Sequence, residues 1–219
     1  MTTALSHRDA RRVYDRIGSF QDSQAFYEDR TTRELVTHGC FEKASAVFEF
    51  GCGTGRFAES LLAERLPATA TYRGIDLSPT MIGLASRRLA RFGARAEVAL
   101  SEGGPPVDEP SGHYDRWLSN FVFDLLSEDD IAAVLAEAHR MLKPGGLLCL
   151  ASLGTGNSWY SHVIAGVWST IHRMAPEVVG GCRPIDLLPF LAADRWSVAW
   201  HRSLAPFLVP SDAVVATRL

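Results

Sequence analysis

The sequence of 219 residues has no excess of positive charge. Its 22 Lys and Arg residues are balanced by 25 Asp and Glu residues, which leaves a formal net charge of −3. A protein that binds the phosphate backbone of nucleic acid usually carries a clear basic surplus. The composition therefore predicts no nucleic-acid partner.

Long apolar runs are also missing. Every strongly apolar stretch is far shorter than the roughly 20 residues that a helix needs to cross a bilayer. The first residues, MTTALSHRDARR, contain no apolar segment of the kind found in signal peptides. We therefore expect a cytoplasmic protein without stable membrane insertion.

Cysteine is scarce and widely spaced. The four cysteines are Cys40, Cys52, Cys149 and Cys182, and no two of them form a CxxC pair. This spacing favours neither a zinc site nor a disulfide framework, so we expect free thiols and no metal.

The first 43 residues are predicted to form a helical cap. Apolar side chains recur at helical spacing between about residues 6 and 20, and a second helix is predicted from about 23 to 38. Gly39 is the predicted C-cap of this second helix.

From residue 44 onward, short apolar segments alternate with helical segments. The predicted strands are 46–50, 71–75, 96–100, 114–119, 147–151, 196–203 and 209–217, and the predicted helices are about 56–65, 78–92, 127–142, 159–174 and 184–193.

This alternation predicts an α/β fold with a seven-stranded, mostly parallel sheet flanked by helices. The last two strands have no helix between them, which predicts an antiparallel pair. We expect one domain over residues 1–219, with the cap at 1–43, the core at 44–217 and a helical insertion at about 157–193.

A glycine-rich turn follows the first predicted strand. Gly51, Gly53 and Gly55 alternate with Cys52 and Thr54. Glycine allows backbone angles that other residues avoid and lets a ligand approach the main chain closely. The preceding strand and the following helix make this turn a candidate nucleotide-binding loop.

Asp76 ends the second predicted strand, roughly twenty residues beyond the glycine turn. An acidic side chain at this place is suited to accept hydrogen bonds from a ribose diol. The alternative is that Asp76 caps the next helix, but Ser78 followed by Pro79 already supplies a cap.

Glu49 and Arg56, which flank the glycine turn, indicate which nucleoside ligand the turn is suited to bind. A dinucleotide fingerprint requires glycine three residues after Gly53, where this chain has Arg56, so an NAD-dependent oxidoreductase is the weaker alternative. The carboxylate of Glu49 suits a ligand that carries an ammonium and a sulfonium group.

Four segments in this order resemble the class I S-adenosylmethionine-dependent methyltransferases. They are VFEFGCGTG at 47–55, YRGIDLSPTMI at 72–82, YDRWLSNFVFDLL at 114–126 and HRMLKPGGLLCL at 139–150. The resemblance covers roughly residues 44–217 and implies a Rossmann-like sheet with S-adenosylmethionine as cofactor. The N-terminal helices are similar to the variable cap of the members that act on small molecules.

The resemblance also implies roles for individual positions: the glycine turn would hold the methionine end, the aspartate the ribose, and later residues the adenine and the sulfur. The implied cofactor contacts are Glu49, Gly51, Cys52, Gly53, Gly55, Asp76, Leu77, Met81, Ser101, Glu102, Ser119, Asn120 and Phe121.

The acceptor is predicted to be a small molecule. Enzymes that methylate amino groups of nucleic-acid bases or of protein glutamine resemble one another in an Asp/Asn-Pro-Pro-aromatic turn, whereas residues 119–122 read SNFV. The aromatic residues Trp159, Tyr160 and Trp168 favour an apolar or aromatic acceptor, methylated on oxygen or nitrogen. Monomer and homodimer both remain open.

Methyl transfer needs alignment more than any one catalytic group, but an oxygen or protonated nitrogen acceptor benefits from a base. The candidates are His162, His172, Asp124 and Tyr14. If no base exists, a regulatory protein that binds the cofactor without turnover is the alternative.

Each of these candidates also has a structural interpretation. The helix at 159–174 is predicted to expose its histidines while Val167, Ile171 and Met174 lie on the opposite face, or else to act as a lid. Asp124 either enters the pocket or caps the helix near Ser127. Tyr14 belongs either to an aromatic flap with Phe20, Phe26 and Tyr27 or to ordinary cap packing.

Overall fold

The computed structural model describes residues 7–18, 22, 25–156, 159–174 and 181–219. The helices are α1 (His7–Ile17), α2 (Ala25–His38), α3 (Arg56–Glu64), α4 (Pro79–Leu89), α5 (Glu128–Met141) and α6 (Trp159–Met174). The strands are β1 (Ala46–Phe50), β2 (Thr71–Asp76), β3 (Ala96–Leu100), β4 (Tyr114–Asn120), β5 (Leu142–Leu153), β6 (Trp196–Leu204) and β7 (Ser211–Arg218).

The seven strands form one sheet in the order β3-β2-β1-β4-β5-β7-β6. Strands β1 to β5 are parallel, and β7 is antiparallel to both of its neighbours. The predicted mixed sheet and its antiparallel C-terminal pair are confirmed. No helix in the described part of the chain is both long and apolar enough to span a membrane.

The strand order indicates at which edge of the sheet a ligand would bind. Within the sheet, β1 comes first in the chain, β2 and β3 are added outward on one side of it, and β4 then lies on its other side. In open sheets of this kind, ligands bind beyond the carboxyl ends of the strands at the point where the order reverses. That point lies between β1 and β4.

Two serines begin helices as the sequence predicts. The Ser78 hydroxyl accepts a hydrogen bond from the Met81 backbone N–H at 3.2 Å, and Pro79 occupies the first helical position. The Ser127 hydroxyl accepts one from the Asp130 N–H at 3.1 Å. Each hydroxyl satisfies an N–H group that the helix leaves unpaired.

The end of α2 differs in detail from the prediction. The left-handed residue after the helix is Cys40, with φ 49°, and not Gly39. A Cβ atom at Gly39 would lie 2.6 Å from the Phe41 ring and 2.7 Å from the Leu35 carbonyl oxygen. Close packing is therefore what requires glycine at this position.

The predicted helix at 184–193 is wrong, because only a 3-10 turn forms at Leu188–Phe190. The Ile185 N–H donates to the Leu153 carbonyl at 3.0 Å, and the Asp186 carboxylate accepts from the Leu188 N–H at 3.1 Å. Backbone groups used in these contacts are not available for helical hydrogen bonds, and Pro189 has no N–H to donate.

Both faces of the sheet are covered by apolar side chains. All five residues of β1 are buried. On one face, Phe48 and Trp117 pack with Ile131 of α5, and on the other, Val47 and Leu118 pack with residues of α2 and α3. This two-sided burial holds the carboxyl ends of β1 and β4 in fixed positions.

Truncation of the central strand should therefore be costly. Leu118 is fully buried in β4, and we expect Leu118→Ala to lower the free energy of unfolding by about 2 to 5 kcal/mol because it leaves a cavity. Leu100, at the end of β3, is 51% exposed, and Leu100→Ala should change it by no more than about 0.5 kcal/mol. Urea denaturation of both variants measures the difference, and equal losses would contradict this account of the core.

Candidate active site

A cavity lies at the carboxyl ends of β1, β2 and β4, beneath the N-terminal helices. Most of the residues that the sequence singled out line it. These are Tyr14, Glu49, Gly51, Cys52, Gly53, Asp76, Leu77, Met81, Ser101, Asn120 and Phe121.

The glycine turn and Asp76 are joined by a direct hydrogen bond. The Gly53 N–H donates to the Asp76 Oδ2 atom at 2.9 Å. The N–H groups of Gly51 and Cys52 both donate to the Ile75 carbonyl, at 2.8 and 2.9 Å. The turn therefore folds back over the end of β2, and the two sequence motifs share one cleft.

The three glycines have positive φ angles but different surroundings. A Cβ atom at Gly51 would lie 2.4 Å from a Val122 methyl group, and one at Gly55 would lie 3.1 Å from Ala85. A Cβ atom at Gly53 would have no described atom within 4 Å and would project into open space. Gly53 thus borders the cavity, whereas Gly55 packs against α4 and does not line it.

Both carboxylate oxygens of Asp76 accept hydrogen bonds from backbone N–H groups. Its Oδ1 atom accepts a hydrogen bond from the Ser78 N–H at 2.9 Å, in addition to the bond from Gly53. Burial raises the pKa of Asp76, although the N–H groups of Ser78 and Gly53 favour its charged form. Ser78, and not Asp76, is the N-cap of α4. Asp76 lines the cavity.

Glu49 is buried and held by two side chains. The Tyr72 hydroxyl donates to Oε2 at 2.5 Å, and the Asn120 amide donates to Oε1 at 3.2 Å. Burial raises the pKa of Glu49 to about 7, against the effect of these two hydrogen bonds. The Asn120 Oδ1 atom is buried and has no hydrogen-bond partner within the described ranges, so it is available to a ligand.

Sequence reasoning missed Tyr72. A Cβ atom at Gly74 would lie 2.6 Å from the Tyr72 hydroxyl oxygen, and Gly74 is paired with Glu49 across the two strands. Glycine at position 74 therefore gives the hydroxyl room to reach the carboxylate. A glycine inside a predicted strand was the available signal, since it often marks a close approach.

Polar contacts fasten the N-terminal helices over the cavity. Asp15 of α1 accepts a hydrogen bond from the Ser78 hydroxyl at 2.6 Å. Asp22 accepts from the Thr54 hydroxyl at 2.6 Å and forms an ion pair with Arg88 at 2.7 Å. The cap is thus tied to the glycine turn and to the loop after β2.

Glu28 of α2 also lines the cavity and was not predicted. Its Oε2 atom lies 4.0 Å from the Arg56 guanidinium, which pairs with Asp29 at 2.7 Å. Its Oε1 atom is buried without a hydrogen-bond partner in the part of the chain that the structure describes. Burial raises the pKa of Glu28 to about 7. A lone acidic residue in an amphipathic helix carries no sequence signal of this role.

Two of the four predicted bases lie near the same end of the cavity. Tyr14 lines it and hydrogen-bonds to the Cys182 thiol. Asp124 is fully buried in the 3-10 turn Phe123–Leu125, outside the cavity lining. It does not cap α5, because Ser127 does.

Asp124 is electrostatically unusual. Neither of its carboxylate oxygens has a hydrogen bond of ordinary geometry among the described residues. Burial raises the pKa of Asp124 to about 7, although weaker contacts with backbone N–H groups and the Cys182 thiol, and the charge of Arg183, favour the charged form.

The two histidines of α6 lie outside the cavity lining. His162 is exposed, but His172 is only 2% exposed, and its Nε2 atom lies 3.1 Å from the Gly181 carbonyl oxygen. The predicted orientation of this helix is wrong for His172, which is buried, and for Val167, Ile171 and Met174, which are exposed, whereas His162 is exposed as predicted.

Helix α6 takes this orientation because it contacts the segment that starts at residue 181. The Trp168 indole N–H donates to the Cys182 carbonyl at 3.0 Å, and Ala165 is buried on the same side as His172. The hydrogen bonds of Trp168 Nε1 and His172 Nε2 thus hold this side of the helix against the segment.

Other predicted residues occupy supporting positions. Glu102 is exposed and lies outside the lining, where Gly103 is found instead. Ser119 is buried beneath the cavity, and its hydroxyl donates to the Phe50 carbonyl at 2.8 Å. Phe121 has φ 54°, a strained angle for a bulky residue, which is a common feature of functional sites.

Several of the aromatic side chains that the sequence singled out are not among those that the structure describes. Phe20 lies outside the described residues, as do the side chains of Phe26, Tyr27, Trp159 and Tyr160.

Comparison with known proteins agrees with this geometry. Residues 48–148 match a family described as a methyltransferase domain. The malonyl-[acyl-carrier protein] O-methyltransferase of Dechloromonas aromatica is 34% identical over 192 residues, which cover 87% of this chain and 68% of that protein. The chain belongs to the class I S-adenosylmethionine-dependent methyltransferases, as the resemblance predicted.

Two further matches say less about this chain, because one covers a small part of a long protein and the other has low sequence identity. The non-reducing polyketide synthase trt4 of Aspergillus terreus is 25% identical over 142 residues, or 62% of this chain, and the chain spans only 6% of its length. The crystal structure of the [4+2]-cyclase SpnF superposes with a TM-score of 0.75 at 14% identity, covering 98% of this chain and 97% of that one. The second match shows a shared fold.

The raised pKa of Asp124 predicts how stability depends on pH. The native state holds a proton on this group up to about pH 7, whereas the unfolded chain releases it near about pH 4, so stability falls as pH rises between these values. We expect Asp124→Asn to increase the free energy of unfolding relative to the native sequence more at about pH 8 than at about pH 5.

Urea denaturation at the two pH values measures this difference. Asp129→Asn is the matched control, because Asp129 is exposed on α5. A pH dependence that Asp124→Asn leaves unchanged would contradict the interpretation.

Proposed function

We propose that this chain transfers a methyl group from S-adenosylmethionine to an oxygen or nitrogen atom of a small apolar or aromatic molecule. The observation that carries the proposal is the hydrogen bond between the Gly53 N–H and Asp76. This bond joins the glycine turn to the ribose-binding candidate, and both line one cavity together with Glu49.

The cavity residues fit the chemical groups of this cofactor. The Glu49 carboxylate would bind the ammonium group of the methionine end, supported by the orphaned Oδ1 atom of Asn120. Each carboxylate oxygen accepts more than one hydrogen bond, so Asp76 retains capacity for a ribose diol while it binds Gly53 and Ser78. The open space beside Gly53 gives the ligand access to the backbone.

The adenine is proposed to lie between Leu77, Met81 and Ser101, which line the cavity next to Asp76. Phe121 would border the sulfur and the acceptor. Other predicted contacts act indirectly in this proposal. The indirect residues are Gly55, which packs on α4, Ser119, which braces β1, and Glu102, which is exposed.

The remaining chemistry requires alignment and exclusion of water. When bound, S-adenosylmethionine supplies an electrophilic methyl group on a sulfonium. The residues of the chain would hold the acceptor in line with that group and keep water away. The contacts of Asp15 and Asp22 that fasten the cap serve this purpose, since they close the cavity from above.

The apolar wall of the cavity supports an apolar acceptor. Phe121, Val122, Leu125 and Leu126 line it together with Tyr14. Binding sites for small organic molecules are typically apolar with a few convergent polar groups.

Cofactor binding is the first test. We expect S-adenosylhomocysteine to raise the melting temperature of the chain and Asp76→Asn to weaken binding about tenfold to hundredfold, because hydrogen bonds to a charged group contribute about 1.5 to 3 kcal/mol. Isothermal titration calorimetry measures the affinity, with Asp129→Asn as the exposed control. No binding to the native sequence at millimolar ligand would refute the proposal.

Turnover is the second test. The chain, incubated with methyl-labelled S-adenosylmethionine and a panel of small acceptors, should transfer label to at least one of them. Cofactor binding without transfer to any member of a broad panel would favour the alternative of a regulatory protein.

A further inference from the structure

The cavity contains more negative than positive groups. Four carboxylates line it, those of Asp22, Glu28, Glu49 and Asp76, and the only cation among the described lining residues is Arg56. The Arg56 guanidinium is already paired with Asp29 at 2.7 Å. An anionic ligand would therefore meet repulsion without an available partner.

Three of these carboxylates are committed to contacts within the chain. Asp22 binds Thr54 and Arg88, Glu49 binds Tyr72 and Asn120, and Asp76 binds two backbone N–H groups. Glu28 is different. Its side chain is 15% exposed, its Oε2 atom is 4.0 Å from Arg56, and its Oε1 atom has no partner among the described residues.

A second buried carboxylate acts electrostatically on Glu28. Asp124 is completely buried, and neither of its oxygens has a hydrogen bond of ordinary geometry in the described ranges. The negative charges of Asp124, Asp29 and Asp22 each disfavour the charged form of Glu28. The Cys182 thiol lies close to both Glu28 and Asp124 and hydrogen-bonds to Tyr14.

The nearby cations do not neutralise this end of the cavity. Arg56 is shared with Asp29, and Arg183 donates from its Nη2 atom to the Leu126 carbonyl at 2.7 Å, outside the cavity lining. A buried carboxylate that lacks a hydrogen-bonded partner is costly. A ligand that brings a positive charge to Glu28 removes this cost.

We propose that the acceptor is a basic amine carried on an apolar or aromatic group, and that Glu28 binds its ammonium form and accepts its proton. This inference rests on the proposed methyl transfer and narrows its acceptor. The apolar wall formed by Val122, Leu125 and Leu126 would hold the rest of the molecule.

The proposed step balances as follows. The acceptor ammonium gives one proton to the Glu28 carboxylate, and the freed nitrogen lone pair forms a bond to the methyl carbon. The carbon–sulfur bond breaks, and its electron pair stays on sulfur as the thioether of S-adenosylhomocysteine. The product is a methylated ammonium ion. A carboxylate acceptor would instead place an anion beside Glu28.

The test compares two probes that share an apolar group and carry head groups of opposite charge. Phenethylamine and hydrocinnamate carry an ammonium and a carboxylate on the same phenylethyl group. Their affinities for the full chain saturated with S-adenosylhomocysteine are measured by calorimetry near neutral pH. We expect the amine to bind at least about tenfold more tightly than the acid.

Substitution of Glu28 identifies the group responsible. Glu28→Gln removes the charge while keeping the shape, and it should weaken binding of the amine at least about tenfold. Glu28→Asp should recover part of that loss. Glu64→Gln is the matched control, since Glu64 is exposed at the end of α3, and it should leave both affinities unchanged.

Binding of S-adenosylhomocysteine separates the two proposals. If the native chain binds it but the acid binds as tightly as the amine, or the amine does not bind at millimolar concentration, the amine inference is wrong and the proposed function stands. Unchanged amine binding in Glu28→Gln would also overturn the inference. If S-adenosylhomocysteine itself does not bind, the proposed function fails first.

Discussion

The candidate site depends on one hydrogen bond, from the Gly53 N–H to the Asp76 carboxylate at 2.9 Å. It connects the loop after β1 to the end of β2 and so converts two distant sequence motifs into one binding surface. The parallel pairing of β1 with β2 and β4 makes this bond possible, because it brings the carboxyl ends of three strands to one edge of the sheet. The buried faces of those strands keep the edge in place.

The site also retains carboxylates that the fold does not neutralise. Glu28, Glu49 and Asp124 are each buried enough to raise the pKa to about 7. Burial of such groups lowers stability near neutral pH unless a partner compensates for it. Glu49 accepts hydrogen bonds from Tyr72 and Asn120, whereas Glu28 Oε1 and both Asp124 oxygens have no hydrogen bond of ordinary geometry in the described residues. Burial of Glu28 and Asp124 therefore lowers the stability of the fold at the end of the cavity where the acceptor is proposed to bind.

The sequence predicted the features that arise from local pattern. Alternating apolar segments gave the order of strands and helices, and Ser78 and Ser127 marked helix starts through their own hydroxyl groups. The Tyr72 hydroxyl reaches Glu49, and Glu28 reaches the cavity, because residues far apart in the sequence pack together. A single sequence provides only weak signals of such contacts. The orientation of α6 was wrong for the same reason, since hydrogen bonding of Trp168 and His172 outweighed the burial of its apolar side chains.

The attachment of the cap has a consequence for how the two ends of the cavity are related. Asp15 and Asp22 reach the loop after β2 and the glycine turn, which are the segments proposed to bind the cofactor. The helices on either side of Asp22 supply Tyr14 and Glu28, which line the part of the cavity proposed for the acceptor. If a ligand at one of these places orders the cap, it lowers the free-energy cost of ordering the other, and by thermodynamic reciprocity each ligand then alters the affinity for its companion by an equal factor.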